Sequence, residues 1–575
     1  LSNSLYSVVI NGLSNTALTK WSTVINGNQN IASGITSFVG GGYYNKAYGL
    51  GSFIGSGQGN KTKNNRGAIV AGVNNSAYTI YSFIGAGSSN LVNGTRSSIL
   101  GGINNRVFSQ DSNIGGGNLN LLSSNTNFSS ILGGELNQIF DGRHSNILGG
   151  LANIILCTNS YFNSIVSGLN NRISGSTNAF VSILNGNRNS SYANKYISIL
   201  NGNDNILTGS TQWTTILNGS LNKAINTRYS LILGTVHTAR TGSHILIIGG
   251  VRMSGSGNFS TSINSSDGIV SGWRSLLVGS SYSHIHSNYS FGMGFRNTAE
   301  TGSHNFVFGN RNASFGGSNI LLGGIRNSAI TANSIIIGGE DSFNNGNASI
   351  ILGGTLHHTT GQGALVGGFT SNSATTIGGV VIGGRQNSVI NNSTYGFIAT
   401  GSGNTISRIT NGFIGGGRSN YIRPVNVSIG ASIINGINNY ITGVYSRYSI
   451  LGNGKANKVS GSYNSLINGF ENIISGITDG FAFIGSGRRN RIQQRNGYNA
   501  MGTIINGSGN TLGSYGGAAD ISSSFIGNGI SNYSNFKYSF IGTGKNLSGI
   551  NAAYTVALNG VRNISRQKYS SIING

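Results

Sequence analysis

At the start of this chain a glycine returns every fifteen residues: Gly12, Gly27, Gly42, Gly57, Gly72, Gly87, Gly102 and Gly117. The series runs on with spacings of 14 to 22 residues to Gly575, about 36 anchors in all, with Thr235, Ser266 and Ser280 standing in for glycine. Self-similarity at a short period means one small unit, repeated and stacked. Other positions keep phase with the anchor. Three residues before it stands an apolar side chain, as at Ile54, Ile69, Ile84 and Ile99. Three after it stands asparagine, at Asn15, Asn30, Asn45, Asn60, Asn75, Asn90, Asn105 and Asn120. Two further on comes another apolar or small residue, as at Ala17, Ala47, Val107 and Ile139, preceded by a frequent Lys or Arg such as Lys46, Lys61 or Arg106.

Alternate residues of a strand face opposite sides. The isoleucine, the small residue just before the anchor, the asparagine and the second apolar residue are therefore expected to point inward, and the basic residue outward. Each coil then has two short strands, two turns and a thin interior, with the anchor glycine supplying a turn that a Cβ would disfavour. One such coil cannot bury its own apolar face, but stacked coils can. A buried asparagine needs hydrogen-bond partners. A column of asparagines bonded amide to amide along the stack would provide them, and the alternative is that asparagine serves only as a turn former. The expected fold is all-β, a parallel β-roll or β-solenoid of about 36 coils of 14 to 22 residues. At about 4.8 Å per coil the stack would be on the order of 170 Å long. The repeat spans 1–575 as one continuous domain, with an irregular zone at about 235–280 and longer loops at about 418–435 and 488–528.

Composition agrees with a packed solenoid. Glycine is 94 of 575 residues but proline is 1, which excludes collagen. The regular Ile and Val exclude a disordered chain. Cys157 is the sole cysteine, so there is no internal disulfide framework. No run of 18 apolar residues is present, so no transmembrane segment is expected. The chain opens at Leu1 rather than Met and stops at Gly575 inside a repeat, so it reads as a segment of a longer protein. The net charge of +24, from 35 Lys and Arg against 11 Asp and Glu, favours anionic partners.

The string Ser52-Phe53-Ile54-Gly55-Ser56-Gly57-Gln58-Gly59-Asn60 resembles the head repeat of YadA-like trimeric autotransporter adhesins. That repeat has a Ser-x-Ala-Ile-Gly core and a similar period, although asparagine here replaces the family's usual alanine. The resemblance covers essentially the whole chain and implies a left-handed parallel roll, with three identical chains packed side by side. Similar repeats occur in virus and phage fibres, so it implies architecture more firmly than source. The family's stalk coiled coil and membrane anchor have no counterpart in the chain.

No enzyme is expected. The acids Asp111, Glu135, Asp141, Asp204, Asp267, Glu300, Glu340, Asp341, Glu471, Asp479 and Asp520 are scattered, and the adjacent pair Glu340 and Asp341 would face opposite ways in a strand. Calcium-binding repeats place Asp in every turn, where this chain has Asn or Ser. His284 with His286 and His357 with His358 are too few for a metal site and read as surface histidines. No catalytic residue, cofactor or metal is expected. Tyr and Phe, 24 each, are expected to pack between coils or chains.

The candidate site is a basic stripe in the anchor turn: Arg296, Arg311, Arg326, Arg385, Arg418, Lys455, Arg488, Lys545 and Arg562. It either keeps the fibre soluble and its edges unpaired or binds anionic polymers. The expected partners are the chain itself, as a homotrimer, and acidic glycans or a host cell surface. Nucleic acid is disfavoured because no aromatic–basic recognition motif accompanies the stripe. The chain thus reads as an extracellular structural or adhesive fibre, the shaft or head of an attachment fibre on a cell or virion surface. The alternative is a passive filament, virion fibre or spacer with no binding role.

Overall fold

In the computed structural model the described residues are 5–176, 179–476, 480–493, 501–513, 521–550 and 553–574. The anchor Gly575 and the acids Asp479 and Asp520 lie outside them. The fold is all-β, a parallel β-solenoid of about 36 turns, with no helix among the described residues. Two compact units divide the chain, Leu1–Ile285 and His286–Gly575.

Within the first unit the regular coil is two-stranded. Phe53–Ile54 pairs in parallel with Ala68–Ile69, one coil on, and Lys61–Thr62 pairs with Ser76–Ala77. Strand N–H groups donate to the following coil, as Phe53 to Gly67 O (2.9 Å) and Lys61 to Asn75 O (2.8 Å). Besides the anchor glycine, two turn positions in the regular coil have positive φ, illustrated by Arg66 (58°) and Asn74 (57°). Their peptides are flipped and donate to the preceding coil instead, Arg66 to Leu50 O (2.7 Å) and Asn74 to Gln58 O (2.8 Å). The stacked backbone thus satisfies turn as well as strand amides, which offsets the strain of non-glycine residues at positive φ.

Four side chains per coil point inward, as Ser52, Ile54, Asn60 and Thr62 do, all essentially fully buried. The expectation for the small residue before the anchor is corrected here: Ser56 is exposed. The inward partner of Ile54 is Ser52, two residues earlier, because the strand ends at Ile54 and the chain turns before the anchor.

The asparagine column is buried as expected, with Asn15 to Asn120 no more than 5% exposed. Its bonding differs from the expected amide ladder. Asn60 Nδ2 donates to the carbonyls of Ser56 (3.1 Å) and of Gly72 in the next coil (2.8 Å), and Asn60 Oδ1 accepts the N–H of Asn75 (3.0 Å). The side chain bonds backbone on both sides because the anchor turns bring two carbonyls within its reach, of which Gly72 O also accepts the N–H of Gln58 (2.9 Å). A direct amide-to-amide bond occurs between Asn205 and Asn189 (3.0 Å).

The zone at 235–280 keeps a regular backbone, with parallel strands Thr238–Ser243, Leu246–Val251, Thr261–Ser266 and Leu276–Ser281. Pairing of Gly219 with Gly234 and of Gly250 with Ser265 places Gly234 and Ser265 in the anchor column, not Thr235 and Ser266. What changes is the inner column, where His237 and Met253 replace asparagine. His237 Nδ1 accepts the N–H of Met253 (3.2 Å), and Met253 Sδ accepts that of Gly268 (3.2 Å).

The second unit repeats the plan. Ile335–Ile337 pairs with Ile350–Leu352, and Ser328–Ala329 with Phe343–Asn344. Ser428–Ile429, in its long coil around Pro424, pairs with Ile409–Thr410 of the preceding coil as a separate two-stranded parallel sheet. The insertions at about 488–528 lie partly outside the described residues.

Candidate functional site

All nine basic residues of the candidate stripe are exposed, but they form two neighbouring columns rather than one. Arg296, Arg311, Arg326 and Arg562 occupy the positive-φ turn position two after the anchor. Arg385, Arg418, Lys455, Arg488 and Lys545 sit one residue earlier. There the backbone register runs Arg385, Ser402, Arg418, Ile437, Lys455, Phe470, Arg488, coil by coil. From Arg385 to Arg488 the cations of this second column alternate with neutral residues, two coils or about 10 Å apart, and Lys545 follows three coils later. Lys455 and Arg488 lie over the ring of Phe470 between them, at 5.7 and 5.4 Å from its centroid.

Arg326 departs from the expected stripe. Its guanidinium pairs with both Asp341 and Glu340, at 2.6 Å each. These acids do not face opposite ways, because Asp341 is in a positive-φ turn (51°) and not a strand. The arginine holds the Asp341 carboxyl below the usual carboxylate range. Arg96–Asp111, Arg188–Asp204 and Arg252–Asp267 likewise tie successive coils. No group of three His, Cys, Asp or Glu able to hold a metal forms among the described residues. No helix there is long and apolar enough to cross a membrane.

The surface reading of His357 is corrected. His357 is buried in the asparagine column; its Nδ1 accepts the N–H of Asn372 (3.2 Å) and its Nε2 faces Gly368 O (3.3 Å). A neutral imidazole protonated at Nε2 reproduces the asparagine pattern of one acceptor and one donor. Burial lowers the pKa of His357, and burial lowers that of His237 to about 4, opposed by the backbone of Gly249 and Leu233. The neutral ring is the bonded one, so its contribution is complete above the unfolded pKa near 6.5. It is lost as pH falls from there towards 4. Amide-exchange protection at Met253 is expected to drop by about one to two orders of magnitude over that range, and His237→Asn to abolish the drop. An unchanged protection factor in the native chain would contradict it.

Tyr and Phe were expected to pack between coils or chains; sequence reasoning missed that many of them align, with His and Trp, in one ladder. Phe128, His144, Phe162, Phe180, Tyr196, Trp213, Tyr229, His244 and Phe259 stack in nine successive coils of the first unit, with centroids 4.0 to 6.2 Å apart and nearly parallel planes. All nine occupy the positive-φ turn six residues before the anchor or its equivalent (five for Tyr229, ahead of Gly234), and all are exposed. The signal was an aromatic or imidazole ring at one phase of the repeat in coil after coil.

No protein-family model matches the chain and no curated protein matches it.

Proposed function

We propose that this chain is the shaft or head of an extracellular attachment fibre on a cell or virion surface, a left-handed roll that packs as three parallel copies and presents basic columns to anionic polymers. The observation that carries the reading is register: every turn position recurs coil after coil, so one sequence choice becomes a linear surface array. The resemblance of the repeat to trimeric adhesin heads supports three-fold packing. A ribbon of exposed aliphatic side chains on the anchor turns supports it too; Leu100 and Leu132 are each 60% exposed, and such ribbons mark association surfaces. A passive spacer is the second reading, favoured by the ion pairs that spend Arg96, Arg188, Arg252 and Arg326 on tying coils together.

The test is one preparation of the folded chain. It is expected to sediment as a trimer at micromolar concentration and to be retained on heparin, with elution steeply dependent on salt. Replacing Arg385, Arg418, Lys455 and Arg488 by glutamine is expected to lower the eluting salt at least about twofold. A monomer removes the three-fold packing, and unchanged elution leaves the columns as a solvated face of a passive fibre.

A further inference from the structure

The aromatic ladder has a cationic column beside it. Immediately before the ladder in each coil, the backbone register runs Arg143, Tyr161, Ala179, Lys195, Gln212 and Arg228. Arg143, Lys195 and Arg228 are exposed next to His144, Tyr196 and Tyr229. The carboxylates of this unit have other partners, although Asp141 lines the same surface cavity as Arg143. Three hold arginines of other turns, Glu135 accepts from Asn118 and Asp141 accepts from Asn125. Among the described residues none of the three cations is in an ion pair.

We propose that this double column is a binding track for an extended acidic polysaccharide. Within the ladder each ring face is covered by the next ring, as with Tyr196 and Trp213 at 4.0 Å and 3°. The accessible parts are therefore ring edges. Edges carry the positive end of the aromatic quadrupole, so they form an apolar ridge that favours oxygen-rich anions. The cations beside it supply full charge, Lys195 and Arg228 two coils or about 10 Å apart. Eight intervals of stacking give a track about 40 Å long, on which many weak contacts add. A single-stranded nucleic acid fits less well, because its bases need open ring faces. The last face of the ladder, on Phe259, is covered by the guanidinium of Arg274 at 5.4 Å. No residue of the track belongs to the basic columns of the second unit.

Trp213 makes the track observable. In the full chain carrying Trp21→Phe and Trp273→Phe, Trp213 is the sole tryptophan. Its emission is followed during titration with oligogalacturonate, heparin oligosaccharide, a neutral cello-oligosaccharide and a 20-mer of deoxythymidylate. A saturable change with one or both acidic glycans is expected, weakened about tenfold by Arg143→Gln, Lys195→Gln and Arg228→Gln together. The charge-reversed pair Lys195→Glu and Arg228→Glu should weaken it further, while the glutamine variant of Arg385, Arg418, Lys455 and Arg488 leaves it unchanged. The two acidic probes separate carboxylate from sulfate as the recognised anion. Tighter binding of the oligonucleotide would transfer the track to nucleic acid and overturn the proposal. Equal binding of the neutral glycan, no change with any probe, or no effect of the charge variants would overturn it as well.

Discussion

Replacing Asn60 by leucine is expected to open its coil locally by about 3 to 4 kcal/mol. The side chain is fully buried and makes three hydrogen bonds to backbone, two as donor to Ser56 O and Gly72 O and one as acceptor from Asn75 N–H. Leucine has the same branch at Cγ, with bulkier ends and no polar atom, so an N–H and two carbonyls lose these partners inside a thin core. A buried amide without a partner costs about 1 to 3 kcal/mol, and each lost hydrogen bond about 1, while the added apolar contact recovers part. Asn60→Asp is expected to be worse at neutral pH, since a carboxylate would face the two carbonyls that the amide nitrogen now satisfies. Stability in a repeat array is a sum over neighbours, so the readout is local. Amide exchange at Asn75 should accelerate by two or more orders of magnitude in the leucine variant, while coils far away are unaffected. Equal exchange in variant and parent would mean that asparagine serves only as a turn former.

The repeat, its two strands, the inward isoleucine and the buried asparagine were all legible because each is a matter of phase. Strand alternation converts phase directly into burial, and Ile54 above Ile69 follows from it. What was not legible depends on turns. The small residue before the anchor belongs to a turn, so alternation misassigns Ser56 to the interior and overlooks Ser52. The asparagine partners could not be read from composition, since they are backbone groups that the turns of its own and the neighbouring coil bring to it. His237 and Met253 fell in the zone expected to be irregular and His357 was read as a surface histidine, yet each offers an acceptor atom at the same place. The ladder ran against propensity: bulky rings such as Trp213 and Phe180 seldom adopt positive φ, and here stacking and the flipped peptides hold them there. The basic stripe resolved into two columns through an offset of one residue between Arg311 and Arg385, which a turn converts into a different direction.

The anchor glycines give the second large effect, and a neighbouring glycine supplies the control. Gly102 has φ of +89°, where side chains are disfavoured. A Cβ there would also lie 2.5 Å from Asn105 Nδ2 and 2.8 Å from Gly117 N, and closer still to the Gly117 carbonyl oxygen. Neither side of this contact can yield, because one is the backbone of the next coil and the other is a buried amide held by Gly101 O and Gly117 O. Gly102→Ala is therefore expected to cost about 4 kcal/mol locally, from backbone strain together with the broken asparagine bonds. Gly101, one residue earlier, has open space around a would-be Cβ. Gly101→Ala should be neutral or stabilise by up to about 1 kcal/mol, because it restricts the unfolded chain without touching the folded one. Limited thermolysin digestion under native conditions, with amide exchange at Asn105 and Asn120, separates the two. The Gly102 variant should be nicked at that coil and lose protection there, and the Gly101 variant should match the parent. Equal behaviour of the two would mean that the glycine period reflects turn preference alone and not the close approach of stacked coils.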